Sequence, residues 1–510
     1  MTNKASISKS FAILSIITII EKVLSFVYQA MIAGLIGANS IADAYFTATE
    51  FFVLIDSTLL SALVIVLLNS YTKKVTEDGL AVADKFLVNI VRISFPLTVI
   101  ISMLVFVFSN PLTYIIGPGY DTGGRAILNA DLKYMALVPV FLSITSVCLA
   151  ILRREKKFFI VGLKSMFLST SGILFVLIAH YTSFPKTNIL CFGYVVAYFL
   201  YMITVCIATR KHKIISWGLP KWGMDEKKFV KMLIPIVVSN GIFKVSMMID
   251  KVICSTVGEG AVSCLTYSQT LYYFVEALFV INLSTVLLSD FNELSASGRK
   301  EEMAHKIAKS ISVIILLLIP ITVVTIIYRY DIVRIVFMRG TFQETDVKRV
   351  GNLIMMYSLG FVPSVVSNIY MHVHYAEGKT SITMKYSLTS IGVNIFFSIL
   401  LAHFIGLSGI AIGTVLSILM SVLLYKKSIR KLIPEYHGFM SPLKFVKLIS
   451  ATSICAIMIY VMHCGIKVPI VSFIIGSISG LGVFLFILFV EKEESIRELG
   501  ALVLSKVKRN

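Results

Sequence analysis

The sequence predicts an all-α polytopic membrane protein of about fourteen transmembrane helices, arranged as two parallel six-helix repeats plus two C-terminal helices. Composition is the first indication. Of 510 residues, 57% are hydrophobic and only 15% are charged, where a soluble domain carries roughly 25% charged residues. The second is patterning: apolar residues fall in blocks of about 20, the length that crosses a bilayer, with short polar stretches between them. The third is internal repetition. Gly37 matches Gly258, Phe46 matches Tyr267, Gly119 matches Gly340 and Lys164 matches Lys385, each 221 positions apart. Leu67 to Tyr71 also resembles Leu287 to Phe291 in character.

In chain order the expected spans are 11–36, 43–69, 86–109, 132–152, 158–180, 188–209, 229–257, 262–289, 307–328, 351–373, 382–404, 407–425, 445–464 and 468–490. They divide the chain into an N-terminal lobe at 1–209, a connector at 210–228 and a C-terminal lobe at 229–425. A loop at 426–444, the last two helices at 445–490 and a tail at 491–510 complete it. Six spans separate the copies, so both keep one orientation and are related by an axis along the membrane normal. Each copy has a long outer loop between its third and fourth spans.

Most of the 47 Lys and Arg fall in alternate loops, clustered at Arg153 to Lys157, Arg210 to Lys231 and Lys426 to Lys431. The positive-inside rule therefore puts both termini in the cytoplasm. Trp217 and Trp222 suit the interface, and Ile496, Leu499, Leu502 and Val503 give the tail an apolar face for the inner surface.

The same placement explains the net charge of +19 as loop bias and attraction to anionic headgroups rather than nucleic-acid binding. Seven cysteines in or beside apolar blocks, none in a Cys-x-x-Cys pair, read as reduced packing residues. The first block is too long, and charged inside, for a cleavable signal peptide. Gly378-Lys379-Thr380 ends like a phosphate-binding loop, but Val373 stands where the first glycine belongs and a span precedes it, which excludes an ATPase. His372 and His374 point to different sides of a helix, so no metal site is expected. The chain reads as a transporter and not an enzyme, without cofactor; an ion gradient or the membrane potential is the expected driving force.

The candidate site rests on charge inside the spans. An ionised residue at the centre of a lone membrane helix costs roughly 2.5–3.5 kcal/mol on insertion scales. Glu21 and Lys22 lie mid-span in the first helix, Asp56 in the second, Lys244 in the seventh and Glu276 in the eighth. Asn240, Lys244, Met248 and Lys251 share one helical stripe; Gln269, Tyr272, Tyr273 and Glu276 share another. These groups face either a water-accessible cavity between the lobes or one another in packed interfaces. In a cavity, lysines would meet phosphate, carboxylates and amides would bond hydroxyls, and tyrosines would stack on sugar rings. Asp250 is a candidate for cation coupling or for pairing with a lysine. Lys164 and Lys385 lie nearer the cytoplasmic ends, where snorkelling to headgroups competes with a role in the site.

Several motifs carry a family resemblance over residues 10 to 430. They are Gly37-Ala38 leading to Ala42-Asp43-Ala44-Tyr45-Phe46, Gly117-Pro118-Gly119-Tyr120, Asp250-Lys251 followed by Gly260 and Tyr267-Ser268, and Phe337-Met338-Arg339-Gly340-Thr341-Phe342. In order and spacing these resemble the MurJ/MviN lipid II flippases of the MOP exporter superfamily. The resemblance implies a V-shaped, MATE-like pair of lobes that opens alternately to each side, with the last two helices forming a groove for a polyprenyl tail. It implies movement of an undecaprenyl-linked cell-envelope saccharide, lipid II or a related polysaccharide precursor, across the bacterial cytoplasmic membrane. Membrane lipids and envelope-synthesis enzymes would be its neighbours.

The family's cavity arginines fall here on Lys22, Tyr28, Asp56 and Thr270, and the acid expected before the eleventh helix is Lys379. Lys22 keeps the charge but not the bidentate fork. That pattern marks a divergent member, whose candidate substrate-binding residues are Glu21, Lys22, Tyr28, Asp56, Lys244, Gln269, Tyr273 and Glu276. A cation-coupled multidrug exporter of the same superfamily is the alternative that the acidic residues suit; its usual twelve spans count against it. An inactive assembly partner for envelope enzymes is the third reading.

Overall fold

The computed structural model describes residues 20–212, 214, 216, 218–439 and 441–490, without the side chains of 239, 242–243 and 279–286. Trp217, the tail and the start of the first expected span lie outside the described residues. Helix α1 covers 20–36. It is followed by α2 Ser40–Asp78, α3 Leu80–Val107, α4 Ser109–Ile116, α5 Thr122–Met135, α6 Val138–Arg154, α7 Phe158–Tyr181 and α8 Lys186–Ala208. After the connector come α9 Met224–Ser255, α10 Ala261–Ala296, α11 Lys300–Ile327, α12 Arg329–Phe337, α13 Glu344–Ser358, α14 Phe361–Ala376, α15 Thr380–Ile405 and α16 Leu407–Leu432. Two further helices, α17 Pro442–Gly465 and α18 Pro469–Val490, end the described chain. There is no strand among the described residues.

Ten helices are long and apolar enough to cross a membrane, with α5 and α6 acting as one, and the pair α13–α14, bent by 41°, makes an eleventh. Length and apolarity therefore mark ten or eleven of the fourteen expected spans. The others correspond to α1, of which 17 residues are described, and to α9 and α10, whose side chains are described only in part. Helix boundaries follow local chemistry. Asn39 caps α2 by accepting from the Ile41 and Ala42 amides, and Asp121 caps α5 through Gly124. Ser441 caps α17, with Pro442 in its first turn, where a missing N–H costs nothing.

The duplication extends to the elements. Adding 221 to the starts of α2 through α8 lands within two residues of the starts of α10 through α16, the short helices α4 and α12 included. By packing, the chain forms two compact units: one runs to Ser263 and takes in Arg339–Phe342, the other holds Cys264–Met338 and the residues from Gln343. This division falls later than the connector at 210–228, because α9 packs along α2 in the first unit. In the second unit α17 and α18 close over α11 and α12 around Tyr328, Cys455, Ile459 and Phe484. The Tyr328 hydroxyl donates to the Ser472 carbonyl at 2.8 Å.

Within the first unit the loop after α4 docks on α9 and the loop after α12 docks on α1, at matching positions. A Cβ on Gly340 would stand 2.1 Å from the Gly34 oxygen, and one on Gly119 would stand 2.1 Å from the Ser255 oxygen. Positions 119 and 340 are 221 apart, and so are 34 and 255, so the two contacts are one contact made twice. Hydrogen bonds seal both: the Thr341 amide donates to Gly34 O at 3.0 Å, and the Gly119 amide to Ser255 Oγ at 3.3 Å. Only glycine permits backbones this close. The Asp43 carboxylate completes the arrangement by accepting from the Gly260 and Ser263 amides, both at 2.7 Å, at the start of α10. Gly119→Ala and Gly340→Ala should each destabilise the protein by about 1–3 kcal/mol or more, read as a lowered thermal midpoint. Gly392→Ala, which meets nothing within 4 Å, should be neutral or stabilising.

The connector is tied at the opposite side of the same unit. His212 Nδ1 lies 3.1 Å from Asp84 and its Nε2 lies 3.1 Å from Glu155. Lys157, 2.7 Å away, and then His212 hold the Glu155 carboxyl below its usual range. A lowered carboxyl pKa adds stability above the ordinary carboxylate range and loses it as pH falls through the lowered value. Thermal midpoints followed from neutral to acid pH should therefore fall less steeply in Glu155→Gln than in the wild type.

Candidate functional site: ion pairs within the helices

Helix α2 organises the charge of the first unit. Glu50 and Asp56 are six residues apart, about 9 Å along the axis and on different faces. Glu50 meets Lys251 of α9, with Nζ 2.9 Å from Oε2. Lys251 is buried; it also donates to the Phe46 carbonyl at 3.3 Å and lies 6.0 Å from the centre of the Phe46 ring. Asp56 Oδ2 pairs with Lys164 of α7, whose Nζ stands 5.1 Å from the Tyr198 ring centre. The other carboxylate oxygen, Oδ1, is buried without a hydrogen-bond partner among the described residues.

The remaining predicted groups of this unit are arranged less tightly. Glu21 and Lys22 face one another at 3.7 Å with side chains 20% and 38% exposed. Tyr28 is committed to packing: its hydroxyl bonds Tyr45 at 2.6 Å and its ring fills the space left by Gly172. Lys244 is half-buried, its ammonium 3.7 Å from Met247 Sδ. Asp250 is buried. Asn240 Nδ2, Thr58 Oγ1 and Gln29 Oε1 are further buried polar atoms without a partner among the described residues.

In the second unit, Gln269, Tyr272, Tyr273 and Glu276 follow helical spacing on α10 and share one face. Gln269 donates to the Tyr357 hydroxyl at 3.3 Å. Tyr272 stacks on Phe361 with ring centres 5.4 Å apart, and half-exposed Tyr273 sits edge-on to Tyr272 at 5.3 Å. Glu276 accepts from Ser364. These groups gather against α13 and α14.

Sequence reasoning did not single out Glu50, and it left Lys164 between the site and the headgroups. The structure turns Lys164 inward to Asp56, whereas its counterpart Lys385 is exposed. The reason is readable: the position 221 beyond Asp56 is Ala277, so the second repeat offers no carboxylate there. A groove of about 740 Å³ in the first unit and one of about 790 Å³ in the second also open beside charged residues. An ion pair lies in the lining of each, Lys74 with Asp225 and Lys306 with Asp290.

The family model of the lipid II flippase MurJ matches residues 32–479. The chain belongs to the MurJ family. Relatives named as probable lipid II flippases MurJ include one from Vibrio cholerae, 26% identical over 441 residues and covering 82% of each chain. Another, from Rhizobium tropici, is 24% identical over 418 residues, covering 80% of this chain and 78% of its own. A solved MurJ structure titled as inward closed superposes with a TM-score of 0.81 at 19% identity, covering 95% of this chain and 99% of that one. An inward-facing MATE multidrug transporter of the MOP superfamily follows at 0.68 and 13%, covering 84% and 98%. The MurJ fold, all-helical and multi-pass, is thus the fold of this chain.

Removing one partner of a buried pair strands the other charge, which costs about 3–5 kcal/mol. Lys251→Met should destabilise this MurJ-family protein by that order in thermal unfolding, and Glu50→Gln combined with Lys251→Met should recover most of the loss.

Proposed function

We propose that this chain is a flippase that carries an undecaprenyl-linked cell-envelope saccharide, lipid II or a related polysaccharide precursor, from the inner to the outer leaflet by alternating access. The observation that supports this most is the lipid II flippase family match over 32–479, on a chain that keeps ionised side chains inside apolar helices. Such residues are expensive in a membrane and mark transport pathways by default. Lys22, helped by Lys244, would engage phosphate, while Glu21, Asp56, Gln269 and Glu276 would meet sugar. Without a nucleotide motif, the driving force is an ion gradient or the membrane potential, with Asp250 as the candidate coupling residue. The positive-inside pattern supports two cytoplasmic termini, and the 221-residue duplication supports lobes at 1–209 and 229–425.

Depletion in the native host tests the reading. A lipid-linked saccharide should accumulate on the inner leaflet, wild-type protein should restore its export, and Lys22→Ala should insert normally yet fail to restore it. An unchanged leaflet distribution on depletion overturns the function; rescue by Lys22→Ala removes Lys22 from it.

A further inference from the structure

The two carboxylate–lysine pairs of the first unit differ in what they leave unused. Lys251 is held from several sides: Glu50, the Phe46 carbonyl and the Phe46 ring all take part, and its side chain is 5% exposed. That is a fastening. Lys164 also faces a ring, Tyr198 at 5.1 Å, but has one carboxylate oxygen as its hydrogen-bond partner among the described residues, and its side chain keeps 22% exposure. An ammonium has three donors, so two are spare. Asp56 is 13% exposed; the Tyr198 hydroxyl lies against the same carboxylate, and its buried Oδ1 has no hydrogen-bond partner among the described residues. A pair with spare donors on the cation and a spare acceptor on the anion is incomplete on both sides.

Completing it calls for a molecule that carries an anion and a hydroxyl close together. An anion alone would take Lys164 and leave Asp56 as an uncompensated charge; a sugar alone would satisfy Oδ1 and leave the ammonium unchanged. A glycosyl phosphate supplies both at once. We propose that Lys164 and Asp56 form an exchangeable latch that opens for the sugar–phosphate junction of the lipid-linked substrate, the phosphate taking the lysine while a sugar hydroxyl donates to the aspartate. Lys164 lies six residues into α7, roughly 9 Å from its start. By the positive-inside orientation, this is the depth that a headgroup entering from the cytoplasm reaches first. The resemblance expects an arginine at position 56, and the latch moves the cation to the neighbouring α7.

This inference rests on the flippase reading, and the test separates the two. Purified full-length protein in detergent is titrated with a short-chain polyprenyl pyrophosphate and with the same lipid bearing one N-acetylhexosamine, with binding followed by native mass spectrometry and thermal midpoints measured alongside. The wild type should bind the glycosylated lipid roughly tenfold tighter than the bare one. Lys164→Gln should lose roughly tenfold or more for both, and Lys164→Arg should retain binding. Asp56→Asn, which removes the competing charge but keeps an acceptor, should bind the bare lipid tighter than the wild type does and so narrow the discrimination. If Lys164→Gln does not fold, Asp56→Asn carries the test by itself. A wild type that binds neither lipid overturns the flippase reading. A wild type that binds, with Lys164→Gln and Asp56→Asn matching it on both lipids, overturns the latch and leaves the flippase reading standing.

Discussion

The arrangement depends on one constraint: an ionised side chain inside a membrane helix needs a partner, because hydrocarbon offers it nothing in place of water. Helix α2 meets this constraint in two directions, sending Glu50 to α9 and Asp56 to α7. The same helix receives Tyr28 of α1 at Tyr45 and Tyr120 of the α4–α5 loop at Asp43 and Thr47. Four neighbours are therefore registered on one helix by polar contacts whose loss would leave buried groups unsatisfied. Apolar packing alone tolerates sliding between such helices; paired charges do not.

Against this, the duplication explains what is shared and the departures from it explain what is specialised. The reciprocal glycine contacts are a property of both repeats, since the loops after α4 and α12 find the same backbone position on α9 and α1. The charged groups are not shared. Asp43 corresponds to Cys264, Asp56 to Ala277 and Glu50 to Leu271. The second repeat instead places Gln269, tyrosines and Glu276 on α10, bonded to hydroxyls of α13 and α14. On the second helix of each repeat, the carboxylates of α2 meet lysines of α9 and α7, whereas Gln269 and Glu276 of α10 meet hydroxyls.

How much of this the sequence shows depends on range. Helix positions and the 221-residue offset are local or periodic signals, and the structure reproduces them down to the short helices α4 and α12. Polar stripes are also local, so Gln269 and Glu276 were readable as one face. Pairing is not local. Asp56 and Lys164 are 108 residues apart, and nothing in either neighbourhood points to the other. Lys164 near a helix end reads equally well as a snorkelling residue, and Glu50, ten residues into α2, has no local signal that names Lys251 as its partner. Tyr28 shows the converse: its alignment with a family arginine suggested a binding role, while Gly172 leaves it a packing niche that composition does not reveal.

The identity of the cation in such a pair matters as much as its charge. An arginine facing a carboxylate makes two parallel hydrogen bonds through a planar fork, and opening that pair breaks both together. A lysine presents a compact charge on a flexible stem, can turn from one acceptor to another, and leaves donors free while paired. Lys164 is in that condition: bound through one oxygen of Asp56, with the second oxygen unmet among the described residues. Lys251 shows that a lysine can also be fixed, once a backbone carbonyl takes a second donor and burial closes the rest. The contrast between these two pairs on one helix is therefore a contrast between a residue that holds the helices together and one whose partner can change.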